Sequence, residues 1–172
     1  MKTLNIDPTH STAGFLVRHM VVSKVRGSFK SFSGTIAYDP DAIERSSVQV
    51  ELDVASIDTR EEKRDAHLRS ADFFDAEHHP RLTFRSTAVK RTGKDTLEVT
   101  GDLTMRGVTH PVVLKVEELG GGKDPWGNDR LAWSAHTTVN RKEWGLNWNQ
   151  VLEAGGVLVS EKVEIELDIQ AL

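Results

Sequence analysis

The stretch "SVQVELDV", residues 47–54, sets the reading of the whole chain. Val48, Val50, Leu52 and Val54 alternate with Gln49, Glu51 and Asp53, a period of two that puts apolar side chains on one face of an extended strand and polar ones on the other. Toward the N-terminus, "FLVRHM" repeats the pattern, with Phe15, Val17 and His19 on one face. Toward the C-terminus it recurs in Leu82, Phe84, Ser86 and Ala88, then in Leu97, Val99 and Leu103, then in Val112, Leu114 and Val116. Leu131, Trp133, Ala135 and Val139 continue the series, and Val163, Ile165, Leu167 and Ile169 alternate with Glu164, Glu166 and Asp168. Such half-polar strands belong to an antiparallel sheet with one wet face.

Turn chemistry punctuates these runs: Asp39-Pro40, residues 92–95, Arg106-Gly107, Gly120-Gly121-Gly122 and Gly155-Gly156. One principal helix is expected between Val54 and Arg81, where Thr59 and Glu62 have capping-box spacing and Pro80 stops continuation. A second, weaker helical tendency lies around residues 41–46. The 172 residues, without repeat or linker, predict a single domain over 1–172, all-β, with about eight strands or more. Periodicity does not separate a sandwich from a barrel; eight closed strands would remove sheet edges and enclose one small ligand.

Composition narrows the chemistry. A net charge of −4 gives no general attraction to nucleic acid or an acidic membrane. Without cysteine there is no disulfide, thiolate catalysis or thiolate zinc site. No apolar run is long enough for a membrane span, and none precedes the first charges, so the sequence predicts a cytoplasmic protein without integral membrane association. Oligomeric state, a homodimer included, is left open. No cofactor motif, nucleophile elbow or metalloprotease signature occurs, and no complete catalytic set is nominated.

The densest polar segment is "RDAHLRSADFFDAEHHP", residues 64–80. His67, Asp75, His78 and His79 have metal-ligand chemistry, but neighbouring histidines beside a proline point apart, and no metal site is expected. Arg64 and His67, three residues apart, share one side of the expected helix and could meet a polar head group; pairing with a nearby aspartate is the structural alternative. His19 is either a satisfied core histidine or a hydrogen-bonding group facing a ligand. Of Phe73 and Phe74, at most one is expected to face the same compartment while its neighbour plugs the junction of helix and barrel, and packing alone is the alternative for both. In "NRKEWGLNW", residues 140–148, Arg141, Lys142, Trp144 and Trp148 could bind a single strand of nucleic acid, but the overall negative charge favours a strand-and-turn element with Trp144 in the core.

Taken in order, "IDPTHSTAGFLVRHM" (6–20), "VRGSFKSFSG" (25–34), "SIDTREEKRDAHLRSADFFD" (56–75), "HPRLTFRST" (79–87), "GDLTMRGVTHPV" (101–112) and "NRKEWGLNW" (140–148) resemble the polyisoprenoid-binding, lipocalin-like family called YceI-like, over essentially the whole chain. The resemblance implies an extended antiparallel eight-stranded lipocalin-like β-barrel with one or two short helices near one end. It also implies non-catalytic binding, storage or transport of a long isoprenoid or related amphiphile; a barrel filled by its own side chains and serving protein interaction is the alternative. On this resemblance, Phe15, Val17, His19, Phe84 and Val99 are wall residues, Arg64, His67 and Phe74 lie near the entrance, and Trp133 and Trp144 close the other side. Trp144 stands where the family often carries a smaller aromatic, which would shorten the cavity or change the shape of ligand it accepts.

Overall fold

A computed structural model describes residues 1–20, 22–150 and 158–172. The strands are β1 (Lys2–Asn5), β2 (Thr12–His19), β3 (Ser23–Phe29), β4 (Phe32–Tyr38), β5 (Ser47–Asp53), β6 (Ile57–Asp58), β7 (Arg81–Arg91), β8 (Thr96–Met105), β9 (Val108–Lys123), β10 (Asp129–Asn140) and β11 (Val159–Ala171). Helix α1 (Glu62–Arg69) is the one α-helix among the described residues. The alternating segments lie in strands except that Val54, the last residue of the opening stretch, falls in a 3-10 turn (Val54–Ser56), and Val50 and Leu52 of that stretch pair with Phe84 and Leu82 across β5 and β7.

The expectation of a closed eight-stranded barrel is corrected. Eleven antiparallel strands form one sheet in the order β1-β4-β5-β7-β8-β9-β10-β11-β2-β3-β6, an open and strongly curled half-barrel. The interruption lies between β3 and β4. Although only two residues separate them, β3 takes β2 and the two-residue β6 as neighbours, while β4 takes β1 and β5. The segment 59–80 packs beside this break: Phe74 stands edge-on to Phe29 of β3 at 5.8 Å, and Arg106, in the β8–β9 turn, donates to the Ala71 carbonyl. Curling brings the chain ends together, with Asn5 and Leu172 exchanging backbone hydrogen bonds.

Local chemistry explains the elements and revises two expectations. The capping box at Thr59 and Glu62 does not form. Glu61 caps α1 instead, its carboxylate accepting from the backbone N–H groups of Lys63 and Arg64, while Thr59 donates to the buried Asp65 carboxylate through both its N–H and its hydroxyl. The tendency at 41–46 is a 3-10 turn, Ile43–Arg45. Gly120-Gly121-Gly122 is strand rather than turn. The β9–β10 register shifts between Ala132 and Trp133, opposite Leu119 and Gly120, and Gly120 takes φ +90° to make that bulge. The reversal comes later, at Asp124 to Asn128. Arg106 and Gly107, at φ 51° and 72°, do make the β8–β9 hairpin turn. The Gly155-Gly156 turn lies outside the described residues.

Arg130 fastens the β9–β10 tip to the start of the chain, donating to Asp7 at 2.7 Å and to Asp124 at 2.9 Å. Hydrogen bonds from Thr9, Arg130 and His10 hold the Asp7 carboxyl far below the usual carboxylate range.

Candidate functional site

The inward faces of the curled sheet do not meet. They line a cavity of about 650 Å³ that is partly open, within the range of small-molecule sites, so the interior is not filled by the protein's own side chains. Strand parity explains its apolar wall. Phe15, Val17 and His19 project inward from β2, Phe84 from β7 and Val99 from β8. Cross-strand partners such as Val89 and Leu114, flanking Val99, continue the same face. Phe84 lies across Gly101 on the neighbouring strand, where a Cβ atom would collide with its ring.

The two ends of the cavity differ. At one end, Tyr38 and Trp133 meet edge-to-face at 5.8 Å, and Ser46 and Ser47 add hydroxyls. Burial, and then the neighbouring Glu118 carboxylate, push the Tyr38 phenol above its ordinary range. At the other end lie α1, His19, Trp148 and Arg141. Arg64 donates from Nε to the Thr59 hydroxyl at 2.7 Å and from Nη2 to the Thr59 carbonyl at 2.6 Å. His67 Nε2 lies 2.8 Å from Asp72, and its ring stands edge-on to Trp148 at 4.6 Å and to Phe73 at 5.1 Å.

Nine of the ten nominated residues therefore face the cavity: Phe15, Val17, His19, Arg64, His67, Phe74, Phe84, Val99 and Trp133. Both Phe73 and Phe74 reach it, not one alone. Trp144 does not. It is fully buried in the wall, donating from Nε1 to the Leu103 carbonyl at 2.8 Å with its ring edge-on to His110 at 5.5 Å, so its size does not shorten the cavity. Among the described residues, no group of three or more His, Asp or Glu side chains has metal-binding geometry, and His78 is paired with Asp75 at the surface.

Arg141, which sequence reading placed only in a nucleic-acid test, is the residue it missed. Its side chain is 5% exposed and lines the cavity. Nε donates to Ser160, Nη1 to Leu146 and Trp148, and Nη2 to Val159, all through backbone carbonyls. The guanidinium lies 5.9 Å from the Phe73 ring centre.

Comparisons with known proteins agree with this architecture. A UPF0312 protein of Vibrio cholerae is 40% identical over 163 residues, covering 95% of this chain and 82% of the relative. A UPF0312 protein of Azotobacter vinelandii is 42% identical over 137 residues, covering 80% and 71%. Burkholderia cenocepacia BcnA superposes with a TM-score of 0.86 at 24% identity, covering 97% of this chain and 99% of the other. A polyisoprenoid binding domain from Saccharophagus degradans superposes with a TM-score of 0.71 at 16% identity, covering 98% and 97%, a likeness of fold. With residues 4–171 matched by the description of the YceI-like domain, the chain belongs to the YceI-like family.

Proposed function

We propose that the protein binds a long-chain amphiphile, an isoprenoid or a fatty chain, without breaking a bond in it. The observation that carries this reading is the cavity of about 650 Å³ with an apolar wall and its charged and imidazole groups gathered at one end. The polyisoprenoid binding described for the Saccharophagus degradans domain lends it support. A hydrocarbon tail leaving water for such a wall gains about 0.8 kcal/mol per methylene. Immobilisation of the ligand takes back several kcal/mol of that gain, so a long tail binds usefully and a short one does not. Phe15, Val17, Phe84, Val99 and Trp133 contact the tail; Arg64 and His67 stand where a head group leaves the apolar region.

Native mass spectrometry of freshly purified protein, followed by extraction and identification of any retained small molecule, tests the proposal. A stoichiometric isoprenoid, quinone or fatty species is the expected result. Empty protein that also fails to bind a broad panel of such compounds would overturn it.

A further inference from the structure

The β2–β3 turn leaves at the surface what folding ordinarily removes from it. Val22 is the most exposed large apolar side chain among the described residues, at 80%, and Met20 is 51% exposed. Both belong to the reversal between His19 and Ser23, where Met20 takes φ 52° and the Val22 N–H donates to the Met20 carbonyl. This turn sits at the helix end of the cavity. His19 beside it lines the wall, and the Met20 N–H donates to the carbonyl of Leu158, another wall residue. Exposed Glu61 and Lys63 also line that end, so the apolar interior reaches the surface there. Met20 and Val22 themselves lie outside the lining.

The charges around the turn are of one sign. Residues 8–38 include Arg18, Lys24, Arg26 and Lys30 and no aspartate or glutamate, in a chain whose net charge is −4. Arg18 and Lys24 are direct cross-strand partners, both exposed, a like-charge pairing that destabilises a sheet. Further from the turn, Arg26 reaches Glu166 and Lys30 reaches Asp58. No ion pair to Arg18 or Lys24 occurs among the described residues. Each of these two cations stands two residues from the exposed apolar side chain on its own strand, about 7 Å along extended backbone. An apolar tip buried about 5–10 Å into the boundary between headgroups and acyl chains therefore carries both cations to headgroup depth.

Resting on the amphiphile reading above, we propose that the protein docks on an anionic lipid bilayer through the β2–β3 turn to exchange its amphiphile, Met20 and Val22 entering the interface while Arg18 and Lys24 meet lipid phosphates. A long-chain amphiphile partitions into bilayers rather than water, and this contact sets the helix end of the cavity against that source. The net negative charge does not prevent the contact, because charges more than about 8–10 Å away are largely screened at physiological salt. Two apolar side chains give a shallow, reversible attachment.

The test is co-sedimentation with vesicles of phosphatidylcholine alone and of phosphatidylcholine with about 30% phosphatidylglycerol. Each cation near an anionic surface contributes about fivefold to partition, so the anionic vesicles should bind about tenfold or more tightly and lose that advantage at high salt. Arg18→Gln combined with Lys24→Gln should abolish the preference, and Met20→Ser combined with Val22→Ser should weaken binding to the anionic vesicles about tenfold. All four side chains lie outside the cavity lining, so uptake of a fluorescent fatty probe in solution should stay within about twofold of wild type. Transfer of that probe from protein to anionic vesicles should slow in both variants. Wild-type protein that ignores anionic vesicles, or partition unchanged in both variants, would overturn the docking site and leave amphiphile binding standing. Dimerisation that the Met20 and Val22 replacements abolish, without any vesicle binding, would also overturn it and assign the turn to a second copy of the chain. A wild-type protein that takes up no fatty probe would overturn the amphiphile reading, and the exchange role with it, whatever the partition shows.

Discussion

Replacing Ala135 with tryptophan separates an open interior from a packed one, because the two predict opposite results. Ala135 pairs with Leu167 of β11 and Val116 of β9, and all three face the cavity. In a close-packed core, an indole at this position would force its neighbours apart and cost about 1–3 kcal/mol. Here it enters existing space, so stability should hold or rise by about 0.5–2 kcal/mol, as other cavity-filling changes do. The same indole takes room from a ligand. If it displaces about four methylenes of tail at about 0.8 kcal/mol each, the loss is roughly 3 kcal/mol, or about two orders of magnitude in affinity. Thermal unfolding with and without oleate, together with probe displacement, reads both quantities. A domain of this size moves about 2–4 °C per kcal/mol. An apo melting temperature several degrees lower with ligand affinity unchanged would refute the reasoning, since it would mean that the wall is packed and the ligand sits elsewhere.

Trp144→Ala should destabilise the protein by about 3–5 kcal/mol in denaturant unfolding, and Trp144→Phe by about 1–3 kcal/mol through loss of the buried hydrogen bond to the Leu103 carbonyl and of packed volume. Neither should change ligand affinity in the folded fraction, because Trp144 lies outside the cavity. The folded Asp7 carboxyl titrates below its unfolded value, so its stabilisation is complete above the ordinary value of 3.8 and is lost as the pH falls toward the folded value. Asp7→Asn should therefore flatten the acid limb of a stability–pH profile. His78 behaves oppositely: Asp75, by hydrogen bond and then by charge, raises its pKa above the ordinary 6.5, and the contribution is present below that value and lost as the pH rises through the folded one. Asp75→Asn should bring the His78 midpoint, followed by NMR, back down. Gly120→Ala meets no neighbouring atom within 4 Å, so a loss of about 1–2 kcal/mol would report the cost of φ +90° alone.

Much of the site could be read from single strands. Phe15, Val17 and His19 share a face because successive side chains alternate, and that face turned out to be the inner one. Arg64 and His67 lie at the same end of the cavity because a short helix sets them on one side. Strands β3 and β4 gave a weaker signal, since Gly27, Ser28, Ser33 and Gly34 interrupt the apolar alternation. The glycines at 120–122 looked like a turn because glycine serves turns and bulges through the same backbone freedom.

The sequence by itself determined an all-β chain, the segments that become its main strands, the side of β2, β7 and β8 that carries the wall, and one helix between Val54 and Arg81. Those properties follow from residues two to four apart, and such neighbours are fixed by local geometry. Only the tertiary structure decided that β3 and β4 part company, leaving an open sheet of eleven strands rather than eight closed ones. It also placed Trp144 in the wall rather than on the cavity and surrounded Arg141 with carbonyls from residues 146, 148, 159 and 160. Strand neighbours, wall thickness and the company kept by a buried charge are set by contacts between distant parts of the chain, and alternation along a strand holds no record of them.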